Sequence, residues 1–472
     1  MRRLLLSPRS WSRRLIPITA CSAVALAGCA SVEPVASAQL AETEVSAAIE
    51  RWVTPIAGGE TLGKTPGLLT LPEAVHSCVF NNLKIQVGAE KIHQARADLW
   101  TDSLIPNSQL TVDTQFQPLQ RINIDNQGGP PQYDANFSIP LDWCLFGKRV
   151  AAMEASRLGI EVATADFADL IRQKVTDTVV AYYDLMEAKE LAKLAKLDLT
   201  DIERIEGIVR KQVAAGGAGA IENDRIQLAV LDAKRESRKR DAAVESAKAK
   251  LRPMVGLRSD VGEFDVQGSL QITAAAKAPD IEQAWTLARQ NRPNLISDQR
   301  SIRQAEAAIE REKRKAKAQV SLAPGIAYQD QQRITGFRNF TGANLALTTS
   351  LPFSDRNQGN IAKAESTLRQ NQLILQADSA DARAEIEQAV VDYRNAVTAV
   401  STEDPATLIA AKSLRDRTEA AYKTGGRSLL ELLDAQRAQR DRVRATISNQ
   451  ADYWRSLNKL QGAIGIRLLP GC

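Results

Sequence analysis

The side chains that could do chemistry in this 472-residue chain are few. Its two histidines, His76 and His93, fall on one predicted helix at a spacing that points them in different directions, so they are not a metal pair. Cys21, Cys29, Cys78, Cys144 and Cys472 include no CxxC pair and no metal-ligand spacing. No Ser-His-Asp arrangement, HExxH motif or phosphate-binding glycine loop occurs. The segment Ala214-Ala215-Gly216-Gly217-Ala218-Gly219 lacks a preceding strand and a following Lys-Ser/Thr, and reads as a turn. Catalysis and metal or cofactor binding are therefore not expected. One acidic pair remains, Glu431 and Asp434, at i and i+3 on one face of a predicted helix. Such carboxylates attract cations when something gathers them; most pairs of this kind simply face water.

The elements that would position that pair come in two copies. Ile92-x-Gln94-Ala95-x-Ala97 returns as Ile302-x-Gln304-Ala305-x-Ala307, and Gln109-Leu110-Thr111 returns as Gln319-Val320-Ser321. Ser138-x-Pro140 followed by Gly147 returns as Ser350-x-Pro352 followed by Gly359, and Tyr183 matches Tyr393. Turns at Gly216-Gly217 and Gly425-Gly426 close the series. Each copy has the order helix, two strands, long helix, glycine turn, helix. We place the first over 71–256, with strands at about 108–118 and 133–142, and the second over 280–467, with strands at about 319–330 and 343–353. The strands show period-two alternation: Tyr133, Ala135, Phe137 and Ile139 alternate with Asp134, Asn136 and Ser138. Residues 148–213 carry apolar side chains at threes and fours, the spacing of a helix packed on other helices over roughly 100 Å. The equivalent run in the second copy is interrupted at Ser401-Thr402-Glu403-Asp404-Pro405.

Residues 1–28 hold Arg2, Arg3, Arg9, Arg13 and Arg14, no acid, and an apolar run from Leu15 to Leu26. This is the pattern of a secretion signal. Leu26-Ala27-Gly28-Cys29 resembles a lipoprotein cleavage site, which makes Cys29 the expected point of lipid attachment and 29–70 a lipid-anchored tether. The formal net charge of +5 falls to zero without the signal arginines, and only 5% of residues are aromatic, so nucleic acid is not an expected partner. No apolar run after the signal is long enough for a membrane-spanning helix; a chain of this composition crosses a bilayer only as strands.

Tyr422-Lys423-Thr424-Gly425-Gly426-Arg427-Ser428-Leu429-Leu430-Glu431-Leu432-Leu433-Asp434-Ala435 resembles the helical tip of TolC-like outer-membrane efflux channels. Leu351-Pro352-Phe353-Ser354-Asp355-Arg356-Asn357-Gln358-Gly359 is similar to their strand-to-helix junction, most of all in the metal-cation branch. The resemblance runs from Leu71 to Ile466. It implies a mainly α protein with membrane β: a homotrimer whose twelve-strand outer-membrane barrel continues as a twelve-helix periplasmic barrel. It further implies a periplasmic adaptor and an inner-membrane pump as partners, and outer-membrane lipid as surroundings. Glu431 and Asp434 would then ring the periplasmic aperture. Tyr422 and Arg427 would latch the tip to Asp224, next to the turn glycines Gly216, Gly217, Gly425 and Gly426. The function implied is a passive exit duct of a tripartite efflux system. A duct for protein secretion, and a lipid-anchored helical scaffold without a pore, are the alternatives.

Overall fold

The computed structural model describes residues 67–116, 130–214, 219–257, 263–272, 275–332, 336–403 and 405–466, with Gly216 and a few positions between 43 and 50. Cys29, Gly217 and Cys472, with the whole signal, lie outside the described residues. Chain order is β1 (Leu68–Leu69), α1 (Leu71–Asn81), α2 (Leu83–Ser103), β2 (Gln109–Gln115), β3 (Gln132–Pro140), α3 (Asp142–Leu145), α4 (Lys148–Ala214) and α5 (Ala220–Leu251). Then follow β4 (Asp265–Val266), α6 (Ile281–Asn291), α7 (Pro293–Lys315), β5 (Val320–Gln329), β6 (Phe340–Thr349), α8 (Gln358–Ser401), α9 (Pro405–Lys423) and α10 (Leu429–Ile464).

The four long strands form one antiparallel sheet, ordered β2-β3-β5-β6. Each copy contributes a hairpin, and β3 against β5 is the seam between them, with Gln132 opposite Gln329 and Pro140 opposite Ser321. Registration puts Val112, Ala135, Ile326 and Ala343 side by side on one face. Asp113, Asp134 and Ala327 line up on the other, where the Asp134 carboxylate accepts from Gln132 Nε2 at 2.9 Å and Gln115 Nε2 at 3.1 Å. Beyond Gln115 the chain turns at Phe116, whose φ of 55° ends the extended run.

This sheet corrects the expected fold class. Of the described residues 72% are helix and 11% strand, and the four long strands make an open sheet in which β2 and β6 each keep an unpaired edge. A closed barrel needs its first and last strands to pair, and here they do not. The twelve-strand membrane barrel with its helical continuation is not what the structure contains, and the expected transmembrane β-strands are withdrawn with it. Separately, no helix among the described residues is long and apolar enough to cross a membrane.

Helices make the rest. α4 runs unbroken for 67 residues, and its buried positions from Ala155 to Val209 meet α2, α7, α5 and α10 in turn. α8 stops at Ser401 and α9 resumes at Pro405, because a proline can begin a helix but not continue one. The two copies meet in an aromatic belt: Tyr183 stacks on Trp454 with centroids 5.6 Å apart, Trp454 meets Tyr453 edge-on at 5.2 Å, and Tyr453 meets Tyr393 at 5.7 Å. The same belt straps down the inter-copy linker. Tyr182 Oη donates to Gln267 O (2.6 Å), Trp454 Nε1 to Leu270 O (3.1 Å) and Tyr393 Oη to Ala276 O (2.8 Å). The short strand β4 of this linker pairs in parallel with β1, so Leu68 and Leu69, expected in the tether, belong to the folded body. Val45 and Ile49 also pack against the core that contains Tyr183.

Cys78 is buried; Thr178 Oγ1 donates to its sulfur at 3.1 Å, and burial pushes the thiol up from its ordinary range. Cys144 is exposed, and both thiols are free. His76 packs on the Phe80 ring, and no group of three or more possible metal ligands exists among the described residues.

Candidate functional site

The two glycine turns come together at one end of the helices. Turn α4–α5 and turn α9–α10 flank a small apolar core in which Ile205 and Val209 of α4, Ile226 of α5, Tyr422 of α9 and Leu429 and Leu432 of α10 are buried. Gly216 and Gly425 have φ of 74° and 78°, the left-handed conformation that lets a helix end abruptly. The Gly425 and Gly426 N–H groups satisfy the freed carbonyls of Tyr422 (3.1 Å) and Ala421 (2.8 Å). Ser428 then starts α10 through a capping box: its Oγ accepts from Glu431 N at 3.3 Å, and the Glu431 carboxylate accepts from Ser428 N at 2.8 Å.

The expected site residues are therefore distributed as follows. Glu431 is spent locally, held below the usual carboxylate range by the Ser428 backbone N–H and then by Arg427, whose Nη1 lies 2.5 Å from it. Asp434 is exposed and loosely paired with Arg437 at 3.7 Å. Both acids lie away from the apolar core that holds Leu432 and Leu433. Asp224 is exposed on α5, and Arg427 does not reach it. Tyr422 is 3% exposed, its hydroxyl without a hydrogen-bond partner; burial and the Glu222 carboxylate push the phenol up to about 12. The structure thus does not assemble the Tyr422–Arg427–Asp224 latch. The physical reason is local: an i,i+4 partner and a helix cap lie closer to Arg427 and Glu431 than anything across the turn.

Beside this apolar core, a seam of charges also joins the two copies at this end. On α4, Asp198, Asp201 and Arg204 recur every three residues along one face. Arg204 grips both oxygens of Glu419 on α9, one at 2.9 Å and the other closer. Lys423 Nζ adds a contact to Glu419 at 2.9 Å, and Arg415 reaches Asp201 at 3.7 Å. One turn further in, buried Asp198 receives Gln436 Nε2 and Arg440 Nη1, both at 3.3 Å, from α10. Arg204 is the main cause that draws the Glu419 carboxyl down to about 2. The spacings Asp198-x2-Asp201-x2-Arg204 and Arg415-x3-Glu419-x3-Lys423 were the available signal for this seam. The arrangement performs no bond chemistry. It holds the α4–α5 and α9–α10 helix pairs together.

No protein-family model matches the chain, and no curated relative matches it by sequence. Solved structures do. The fold is similar to that of CusC, whose structures concern folding and transmembrane channel formation: TM-score 0.67, 17% identity, 86% of this chain and 95% of that one. It is similar to the outer-membrane channel OprN (TM-score 0.67, 18% identity, 87% and 95% covered). It is similar also to the Campylobacter jejuni CmeC outer membrane channel (TM-score 0.65, 17% identity, 87% and 91% covered). At such identities the likeness establishes a shared fold.

Proposed function

We propose that this chain is the outer-membrane channel component of an export assembly, a passive duct that carries solutes or metal cations and performs no chemistry itself. What supports this reading is the fold shared with outer-membrane channels, a helical body some 100 Å long whose turn end is joined by a seam of charges. In this reading three copies assemble, a periplasmic adaptor meets the turns, and an inner-membrane pump supplies the energy. Glu431 and Asp434, already on the exposed face of α10, would face the aperture and favour cations.

The test is reconstitution. Detergent-extracted protein should run as a three-copy particle and give ion currents in planar bilayers, and Glu431→Ala with Asp434→Ala should lower its cation preference. A monodisperse monomer that conducts nothing would leave the helical scaffold without a pore. Unchanged selectivity in the double variant would return the two acids to an ordinary solvated face.

Cys29 carries the lipid in this reading. Cells fed a labelled fatty acid should incorporate it into the wild-type chain and not into Cys29→Ser. An unlabelled wild-type chain removes the anchor from the account.

A further inference from the structure

All four connections between helices and sheet lie at one end of the sheet, and they are knitted into a collar. Arg149 Nε donates to Ser103 O at 2.7 Å, Lys148 Nζ to Ala318 O at 3.1 Å, and the Leu141 N–H to Val320 O at 2.7 Å. Asn357 Nδ2 ties the fourth connection to Glu312 O at 2.9 Å. Large apolar side chains stand out from this collar into solvent: Trp100, Leu104, Leu145, Leu351 and Phe353, the last 75% exposed.

Its cations are only partly paired. Lys148, Arg314 and Lys315 each meet a carboxylate, whereas Lys313, Lys317, Arg356 and Arg149 make no ion pair among the described residues. Arg149 instead lies over the Trp143 ring, 5.6 Å from its centroid. The neighbouring acids are engaged: Asp142 by Lys148, Glu312 by Lys315, Glu310 by Arg314, Asp355 by the Asn357 N–H and Asp102 by the Ser156 hydroxyl.

Free cations interleaved with exposed aromatic and aliphatic side chains suit one kind of surface. Ammonium and guanidinium groups meet phosphates, while Trp, Phe and Leu enter the apolar layer just beneath them. A polyanion alone would have no use for Leu351 and Phe353, and an apolar protein face would leave the cations unmatched. We propose that the collar binds the headgroups of anionic phospholipids and so seats the molecule against a lipid surface at the foot of its sheet. The proposal rests on the outer-membrane reading above and adds to it the class of lipid.

The experiment is native mass spectrometry of the full chain in a neutral detergent, titrated with phosphatidylglycerol or phosphatidylethanolamine. Wild type should take up phosphatidylglycerol at a concentration roughly tenfold lower. The triple variant Lys313→Gln, Lys317→Gln, Arg356→Gln should lose that preference, while Phe353→Ser with Leu351→Ser weakens uptake of both lipids. These positions are exposed, and an unchanged unfolding temperature confirms that each variant is folded. Equal uptake of the two lipids by wild type, or an undiminished preference in the triple variant, overturns the proposal. So does displacement of phosphatidylglycerol by an acidic peptide at equal concentration, which would assign the collar to a protein. Lipid uptake is read without any current, so a failed duct and a failed collar give different results.

Discussion

Glu419→Lys should open the turn end of the helices. The substitution places a fourth cation among Arg204, Arg415 and Lys423, where a carboxylate now bridges α4 and α9. Breaking a well-buried pair costs about 3–5 kcal/mol. The Arg204 and Lys423 side chains are 42% and 50% exposed, and solvent screening reduces this to about 2 kcal/mol. That is roughly a thirtyfold change in the ratio of closed to open forms. In the proposed duct, single-channel recordings should show it as a rise in open probability, and the charge swap Arg204→Glu with Glu419→Arg should restore part of the closure, since Asp201 and Lys423 still oppose the exchanged charges. A Glu419→Lys variant that stays as closed as wild type would mean that the seam holds nothing shut. Proton titration should act in the same direction. The Glu419 carboxyl is depressed to about 2 in the folded chain, so its contribution is complete above the ordinary carboxylate range and disappears as the pH falls from there through about 2. Acidification should therefore make wild type resemble the variant.

Gly256→Ala should be among the most destabilising single changes in the body. Gly256 ends the turn after α5 with φ of 69°, and a Cβ there would lie 2.4 Å from Asn81 O and 2.5 Å from Asn81 C. Neither atom can yield, because both belong to the backbone at the end of α1. Left-handed strain plus overpacking amounts to about 3–5 kcal/mol. Gly216 provides the control: its φ is 74° but nothing lies within 4 Å of a Cβ, so Gly216→Ala should cost about 1 kcal/mol. Thermal unfolding of the two variants separates strain from collision. Equal losses would show that the Asn81 contact is not what matters.

The long elements could be read because their causes are local. Alternation in Tyr133–Ile139 located β3, three- and four-residue spacing located α4, and Pro405 marked the break between α8 and α9. Closure of the sheet could not be read in the same way. Alternation reports that a strand has two faces and says nothing of what its edges do, and the edges of β2 and β6 remain open. At the turns another local cause was legible. Ser428-x-x-Glu431 is a capping-box spacing, visible in the sequence, and it gives Glu431 a partner within its own helix end. The seam was legible only in part, because the spacing of Asp198, Asp201 and Arg204 puts them on one face without naming their partners. Among 61 basic and 56 acidic residues, which charges meet depends on how the helices are rotated against one another.

That rotation makes α4 a ruler with coarse graduations. One residue inserted near its middle turns everything beyond it by about 100°. Arg204 would then leave Glu419, and Asp198 would leave Arg440. Seven residues return the faces to within about 20° of their former phase, and eleven do nearly as well. The antiparallel α5 and α10 would have to grow by the same step, since each contacts α4 along its length. Viable relatives of this molecule should thus differ in reach by whole multiples of two or three helical turns, matched across several helices, and never by a single residue.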